Sequence, residues 1–214
     1  MATFEIAYQE RYSRSELLLR TLFGFIYIAL PHLFLLAFLS IWSAILTFIA
    51  FWSILFTGRY PESMFEFQVK LIRWNTRVNA RLNNLADDYP RFGLNAEDEH
   101  VTVEIPYPEK LDRGILILKV LFGGFYVLLP HGFILLFRTL ATLVLIFLAW
   151  WAVLFTGKYP KSWHEFNVGT SRWSFRVNNY MSLLTDDYPP FSGKPDTGKP
   201  DAGTEQIQGN TTTE

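Results

Sequence analysis

The stretch Thr21-Leu-Phe-Gly-Phe-Ile-Tyr-Ile-Ala-Leu30-Pro-His-Leu-Phe-Leu-Leu-Ala-Phe-Leu-Ser40-Ile-Trp-Ser-Ala-Ile-Leu-Thr-Phe-Ile-Ala50-Phe-Trp-Ser-Ile-Leu-Phe-Thr-Gly58 runs for 38 residues without an Asp, Glu, Lys or Arg. A membrane-crossing helix takes about 20 apolar residues, so this run holds material for two. A second apolar region, Ile115 to Gly157, is punctuated only by Lys119 and Arg138. Of the 19 Lys and Arg residues, 18 lie outside the segments 21–58 and 120–157. That distribution is foreign to a water-soluble core and predicts an integral membrane protein. The mean hydropathy of the 214-residue chain, +0.15, hides this by averaging apolar runs with polar ones.

The rest of the composition excludes whole classes. A net charge of −1 argues against a general nucleic-acid binder. The lack of cysteine removes disulfides, cysteine-ligated metals and cysteine nucleophiles. Residues 1–20 mix Glu5, Glu10 and Glu16 with Arg11, Arg14 and Arg20, and no small-x-small pattern follows. The apolar run is also longer than a signal h-region, so a retained segment is expected rather than a cleaved leader.

The apolar regions belong to two copies of one unit, offset by 99 residues. Pro31-His32 returns as Pro130-His131, Arg73-Trp74 as Arg172-Trp173, and Asp87-Asp-Tyr-Pro90 as Asp186-Asp-Tyr-Pro189. Aligned without gaps, residues 3–92 and 102–191 agree at 43 of 90 positions, which means duplication. Each copy opens with a short alternating stretch, Thr3–Tyr8 or Val101–Tyr107, that reads as a strand or extended arm. Pro106 and Pro108 confine the second to an edge. The apolar region follows, about 17–58 or 115–157. Then come Thr57-Gly-Arg-Tyr-Pro61 or Thr156-Gly-Lys-Tyr-Pro160 and an amphipathic helix, about 62–86 or 161–185. Residues 93–101 read as an acidic linker and 192–214 as a disordered tail.

Basic residues flank both apolar regions on both sides, and Lys and Arg favour the cytoplasmic side of a membrane. A transmembrane helical hairpin in each copy places all of them there, with both termini and the amphipathic helices on the cytoplasmic face of the inner membrane. An Arg in mid-span costs roughly 2.5–3.5 kcal/mol, so Arg138 favours an apex near Phe38–Ser43 and Phe137–Thr142. The other candidate apex is Pro31-His32 and Pro130-His131. The expected fold is therefore all-α and integral to the membrane: two tandem repeats, each a hairpin plus an amphipathic interfacial helix and a short N-terminal arm.

In the amphipathic segment Phe67, Leu71, Trp74, Val78, Leu82 and Leu85 form one helical stripe beside Lys70, Arg73, Arg77 and Arg81. Such a helix can lie in the headgroup plane, or pack on its own hairpin. Arg59, Arg73, Arg77, Lys158, Arg172 and Arg176 are candidate lipid-headgroup or partner contacts, because guanidinium offers paired donors to phosphate. The competing reading is an ion-pair network with Glu66, Glu165 and the Asp pairs. His32, His131 and Arg138 are candidate intramembrane polar sites, and a neutral histidine bonding a neighbouring helix is the plainer role. No catalytic or phosphate-loop motif and no metal-ligand cluster appears, so the reading calls for no catalytic residue, cofactor or metal.

The set Pro31-His32, Trp52, Phe56-Thr-Gly-Arg-Tyr-Pro61, Arg73-Trp-x-x-Arg77-Val and Asp88-Tyr-Pro-x-Phe92 resembles the bacterial "domain of unknown function 4389" family. The second copy, ending Leu-Thr-Asp-Asp-Tyr-Pro-Pro-Phe191, resembles it more closely. The first departs at Arg81, Ala86 and Arg91, where the second has Tyr180, Thr185 and Pro190. The resemblance implies a bacterial integral membrane protein and assigns no activity. The expected function is a non-enzymatic scaffold or anionic-lipid or partner-binding module, with membrane lipids, a second copy or another membrane protein as partner and no nucleic acid. The alternatives are a component of a small oligomeric transporter or channel and, more remotely, a lipid-modifying enzyme using the Asp pairs.

Overall fold

The computed structural model describes residues 2–195, which are mostly helical. The chain runs β1 (Thr3–Ile6), α1 (Arg14–Gly24), a π turn (Phe25–Ala29), α2 (Leu30–Thr57) and α3 (Glu62–Leu82). It continues through β2 (Val101–Glu104), α4 (Arg113–Gly123), a second π turn (Gly124–Leu128), α5 (Leu129–Thr156) and α6 (Lys161–Met181). The stretches Arg14–Thr57 and Arg113–Thr156 are each 44 residues of unbroken helix, with windows of mean hydropathy 2.4 and 2.3, long and apolar enough to cross a membrane.

No hairpin turn exists at either expected apex. Residues 30–57 and 129–156 are continuous helices, and Pro31 and Pro130 sit just past the π turns, inside the 44-residue runs, where the carbonyl each leaves without its usual N–H partner accepts a tyrosine hydroxyl instead. The physical reason is plain in the sequence: from His32 to Thr57 and from Phe133 to Thr156 there is no Gly or Pro to break the helix. Gly58 and Gly157, both at φ 73°, end the runs in the left-handed cap that glycine adopts freely.

The π turn keeps one face of each run aligned. Leu17, Arg20, Gly24, Ile28, His32 and Leu36 are all buried, although a strict α-helix would rotate the first three away from the last two. A π turn holds one residue more than an α turn, which resets the phase by about 100°. One stripe is thereby covered from end to end, while large apolar residues stay exposed from Leu18 to Phe56 and from Ile117 to Phe155.

The covering layer is α3 and α6 with the strands. Leu71, Trp74 and Val78 pack with Ile28 and Leu36, and Trp173, Val177 and Tyr180 with Val127. The apolar stripe of each amphipathic helix packs on its own long helix, the second of the two placements expected for it. Side-chain area removed from water by protein is no longer free to bury in lipid.

The two halves clasp reciprocally. β1 pairs antiparallel with β2, Phe4 opposite Val103. Arg73 Nε donates to the Val103 carbonyl at 2.7 Å and Arg172 Nε to the Phe4 carbonyl at 2.8 Å, so each strand is held by the other half's amphipathic helix. The Tyr12 amide meets the Gly157 carbonyl, and the Leu111 amide meets that of Gly58. Arg14 reaches the Phe155 carbonyl and Arg113 that of Phe56. One apolar cluster contains Phe4, Phe65, Val101, Leu116, Val153 and Phe175, drawn from both halves. The basic flanks therefore gather because each long helix begins beside the end of the other, not because either folds back.

The expected acidic linker is docked: the Gly93 and Ala96 carbonyls accept from Arg77, and Asp98 pairs with Arg81 at 2.9 Å. The tail expectation fails at its start, since the Ser192, Gly193 and Lys194 carbonyls accept from Arg176 and Arg172. Its remainder, 196–214, lies outside the described residues.

Candidate functional site

The shared motifs converge on one arrangement, built twice. Trp74 Nε1–H donates to His32 Nδ1 at 2.9 Å. An indole nitrogen can only donate, so Nδ1 carries no proton and the neutral ring holds its hydrogen on Nε2. Nε2 lies 3.2 Å from the Tyr89 hydroxyl, which in turn donates to the Tyr27 carbonyl at 2.9 Å. Tyr27 is one α-turn before Pro31, whose missing N–H would otherwise leave that carbonyl without its usual partner. Phe92 stacks on the imidazole, centroids 3.8 Å apart and planes 7° apart.

The second half repeats it: Trp173 to His131 at 2.9 Å, His131 to Tyr188 at 3.2 Å, Tyr188 to the Tyr126 carbonyl at 2.9 Å, and Phe191 stacked at 3.9 Å. Both histidines are fully buried. Every proton in the series points the same way, so the Pro-His, Arg-Trp and Asp-Tyr-Pro-x-Phe motifs form a lock between the long helix and its cover.

The basic candidates divide by what holds them. Arg73 and Arg172 brace the strands, and Arg77 and Arg176 brace the segments that follow the Tyr-Pro-x-Phe motif. Burial pushes the Arg77 guanidinium below its usual range, with Asp98 acting the other way. The anticipated network with Glu66, Glu165 and the Asp pairs is thus largely replaced by main-chain acceptors. Arg59 and Lys158 are exposed beside the capping glycines. Arg138 lies in α5, donating from Nε to Thr170 Oγ1 at 3.2 Å and from Nη2 to the Phe166 carbonyl at 3.4 Å.

Three participants escaped the sequence reading. Arg20 grips Asp87 at 2.7 Å and the Ala86 carbonyl at 2.8 Å; Lys119 grips Asp186 at 2.7 Å and the Thr185 carbonyl at 2.6 Å. The same carboxylates accept the Ser13 and Asp112 amides at the starts of α1 and α4. The signal was the recurrence of a cation at the 99-residue offset ahead of each apolar run. His164, without a counterpart, is buried against the Tyr8 and Tyr159 rings, with Nε2 3.3 Å from the Leu85 carbonyl. Burial pushes its imidazole below the usual range, the Leu85 carbonyl and Glu165 pulling the other way. Among the described residues, no cluster of three or more His, Cys, Asp or Glu is placed to hold a metal.

Residues 14–93 and 118–193 each match the model of the domain of unknown function DUF4389. No curated protein and no solved structure matches the chain. The chain belongs to the DUF4389 family and carries two tandem copies of its domain.

Proposed function

We propose that this DUF4389 protein is a non-enzymatic membrane module that seats its two long helices in one leaflet of the cytoplasmic membrane, parallel to the bilayer plane. Its α3, α6 and strand layer then faces the aqueous side and presents binding sites to lipid headgroups or a protein partner. The observation that carries this reading is the length and one-sidedness of the exposed apolar surface. It runs from Leu18 to Phe56 on one helix, about 57 Å at 1.5 Å per residue. A bilayer's hydrocarbon core is only about 30 Å thick.

Magnitude chooses between crossing and lying flat. A helix crossing at right angles would hold about half of that surface outside hydrocarbon. It would also carry the charged cover, including Lys70, Glu66 and Arg73, into the core, where a Lys, Arg or Asp at the helix centre costs roughly 2.5–3.5 kcal/mol. Lying in the plane buries the apolar side chains and leaves the charges in water, the arrangement of an in-plane amphipathic element. The β1–β2 pairing supports it by keeping residues 3–6 and 101–104 on one side.

The reading is tested by adding the full chain to vesicles and washing with alkaline carbonate. The protein remains with the lipid if the apolar layer is embedded. Release into the wash would contradict it.

A further inference from the structure

Among the differences between the two copies is one paired exchange of residues. In the first, position 70 on α3 is a lysine and position 39 on α2 a leucine; in the second, the corresponding positions are Gly169 on α6 and Arg138 on α5. A Cβ built on Gly169 would lie 3.5 Å from Arg138 Nη2 and 3.1 Å from the Gly193 carbonyl oxygen. A Cβ there is crowded by the Gly193 carbonyl and would touch the guanidinium, so a longer side chain from α6 would compete with Arg138 for the same room. The second copy thus lacks the lysine of the amphipathic helix and carries a cation on the long helix instead.

That place opens on a cavity of about 760 Å³ between α5, α6 and residues 191–195. Among the described residues Arg138, Arg172 and Lys194 line it, with Glu165 as the acid. The Arg138 guanidinium sits 4.4 Å from the Phe166 ring centroid and 5.8 Å from that of Trp173, which fixes its plane. Its Nη1 makes no hydrogen bond among the described residues and remains a donor for a ligand. Phe137 and Leu140, beside it on α5, belong to the exposed apolar surface. The corresponding cavity of the first copy, about 390 Å³, is lined by Lys70, Arg73 and Arg77 but also by Glu97, Asp98 and Glu104, which cancel its charge.

We infer that the cavity of the second copy binds a phosphate group, monoester or diester, with Arg138 as its principal contact. This rests on the membrane-module reading and names the chemistry of one of its sites. Guanidinium presents paired donors to phosphate oxygens, Arg138 and Lys194 on the described lining favour an anion, and the adjoining apolar surface accepts an acyl chain when the phosphate belongs to a lipid.

The test uses the full chain in detergent, titrated with short-chain phosphatidylglycerol, phosphatidylcholine or inorganic phosphate and read by native mass spectrometry. Arg138→Leu installs the residue that the first copy carries at Leu39, and Arg138→Lys keeps the charge. The wild type binds phosphatidylglycerol in preference to phosphatidylcholine, Arg138→Leu weakens this by at least about tenfold, and Arg138→Lys retains part of it. Displacement by excess inorganic phosphate assigns the site to a soluble phosphate, and resistance assigns it to a lipid. Equal phosphatidylglycerol and phosphate binding by Arg138→Leu and wild type would overturn the site, as would the absence of both from the wild type. Carbonate-resistant membrane association of Arg138→Leu isolates that failure from a failure of the module reading, which would release the wild type as well.

Discussion

The amide of Tyr12, one residue before the start of the first long helix's cap, donates to the carbonyl of Gly157 at the end of the second, at 2.9 Å. The reciprocal bond, Leu111 to Gly58, is 2.8 Å. In each half the extended arm belongs structurally to the other half's amphipathic helix. Phe4 is buried and lies 5.1 Å from Phe175, centroid to centroid. Phe4→Ala should cost about 3–5 kcal/mol. Hydrogen exchange should rise in 161–181, in the second copy, more than in 62–82, in the first. A larger rise in 62–82 would contradict the exchanged packing.

The histidine lock predicts a matched pair of effects. His32→Phe leaves the Trp74 indole N–H without its acceptor in a buried place, at a cost of about 1–3 kcal/mol. His131→Phe does the same to Trp173, and thermal unfolding should report losses of similar size. Unchanged stability in both variants would show that the relay is incidental.

Arg20 and Asp87 form a buried pair, their side chains 5% and 9% exposed. Removing one partner strands the other, so Arg20→Met should destabilise by about 3–5 kcal/mol. The double variant Arg20→Met/Asp87→Asn should recover part of that loss, because no uncompensated carboxylate remains. A double variant as damaged as the sum of the singles would mean that the two groups act independently.

His164 gives the fold a pH dependence of known sign. Its imidazole is held below the usual range by burial, so the unfolded chain takes up a proton before the folded one does. Stability is complete above the unfolded value of about 6.5. It is lost progressively as pH falls from there through the lower folded value. His164→Phe, which matches Phe65 in the first copy, should flatten that part of the melting-temperature profile between pH 7 and 5. An unaltered profile would remove His164 as its source.

Much of this was legible in the residues. The duplication, the two apolar runs, the α3 and α6 stripes and the short strands all follow from spacing and composition. The absence of hairpins was not legible, because cations gather through antiparallel docking of two helices as well as through a turn. Arg138 misled for the same reason: a cation in an apolar run suggested an apex, whereas it faces Thr170 across a helix pair. The strand partners, the phase-resetting π turns and the His–Trp–Tyr series depend on contacts between residues 42 to about 170 positions apart. No local pattern encodes such distances, although motifs recurring at a fixed offset marked which residues would meet.

The in-plane seating of the long helices is tested most directly by depth. The chain has no cysteine, so Phe34→Cys, Ile45→Cys and Phe56→Cys can each carry a single spin label on the exposed face of α2. The outer two positions are about 33 Å apart along the helix, close to the full thickness of the hydrocarbon core. Oxygen and nickel accessibility of the labels in vesicles should place all three at one depth, within about 5 Å of each other. A label at Ile45 near the bilayer centre, with Phe34 and Phe56 at opposite interfaces, would show that the helix crosses the membrane and would contradict the account.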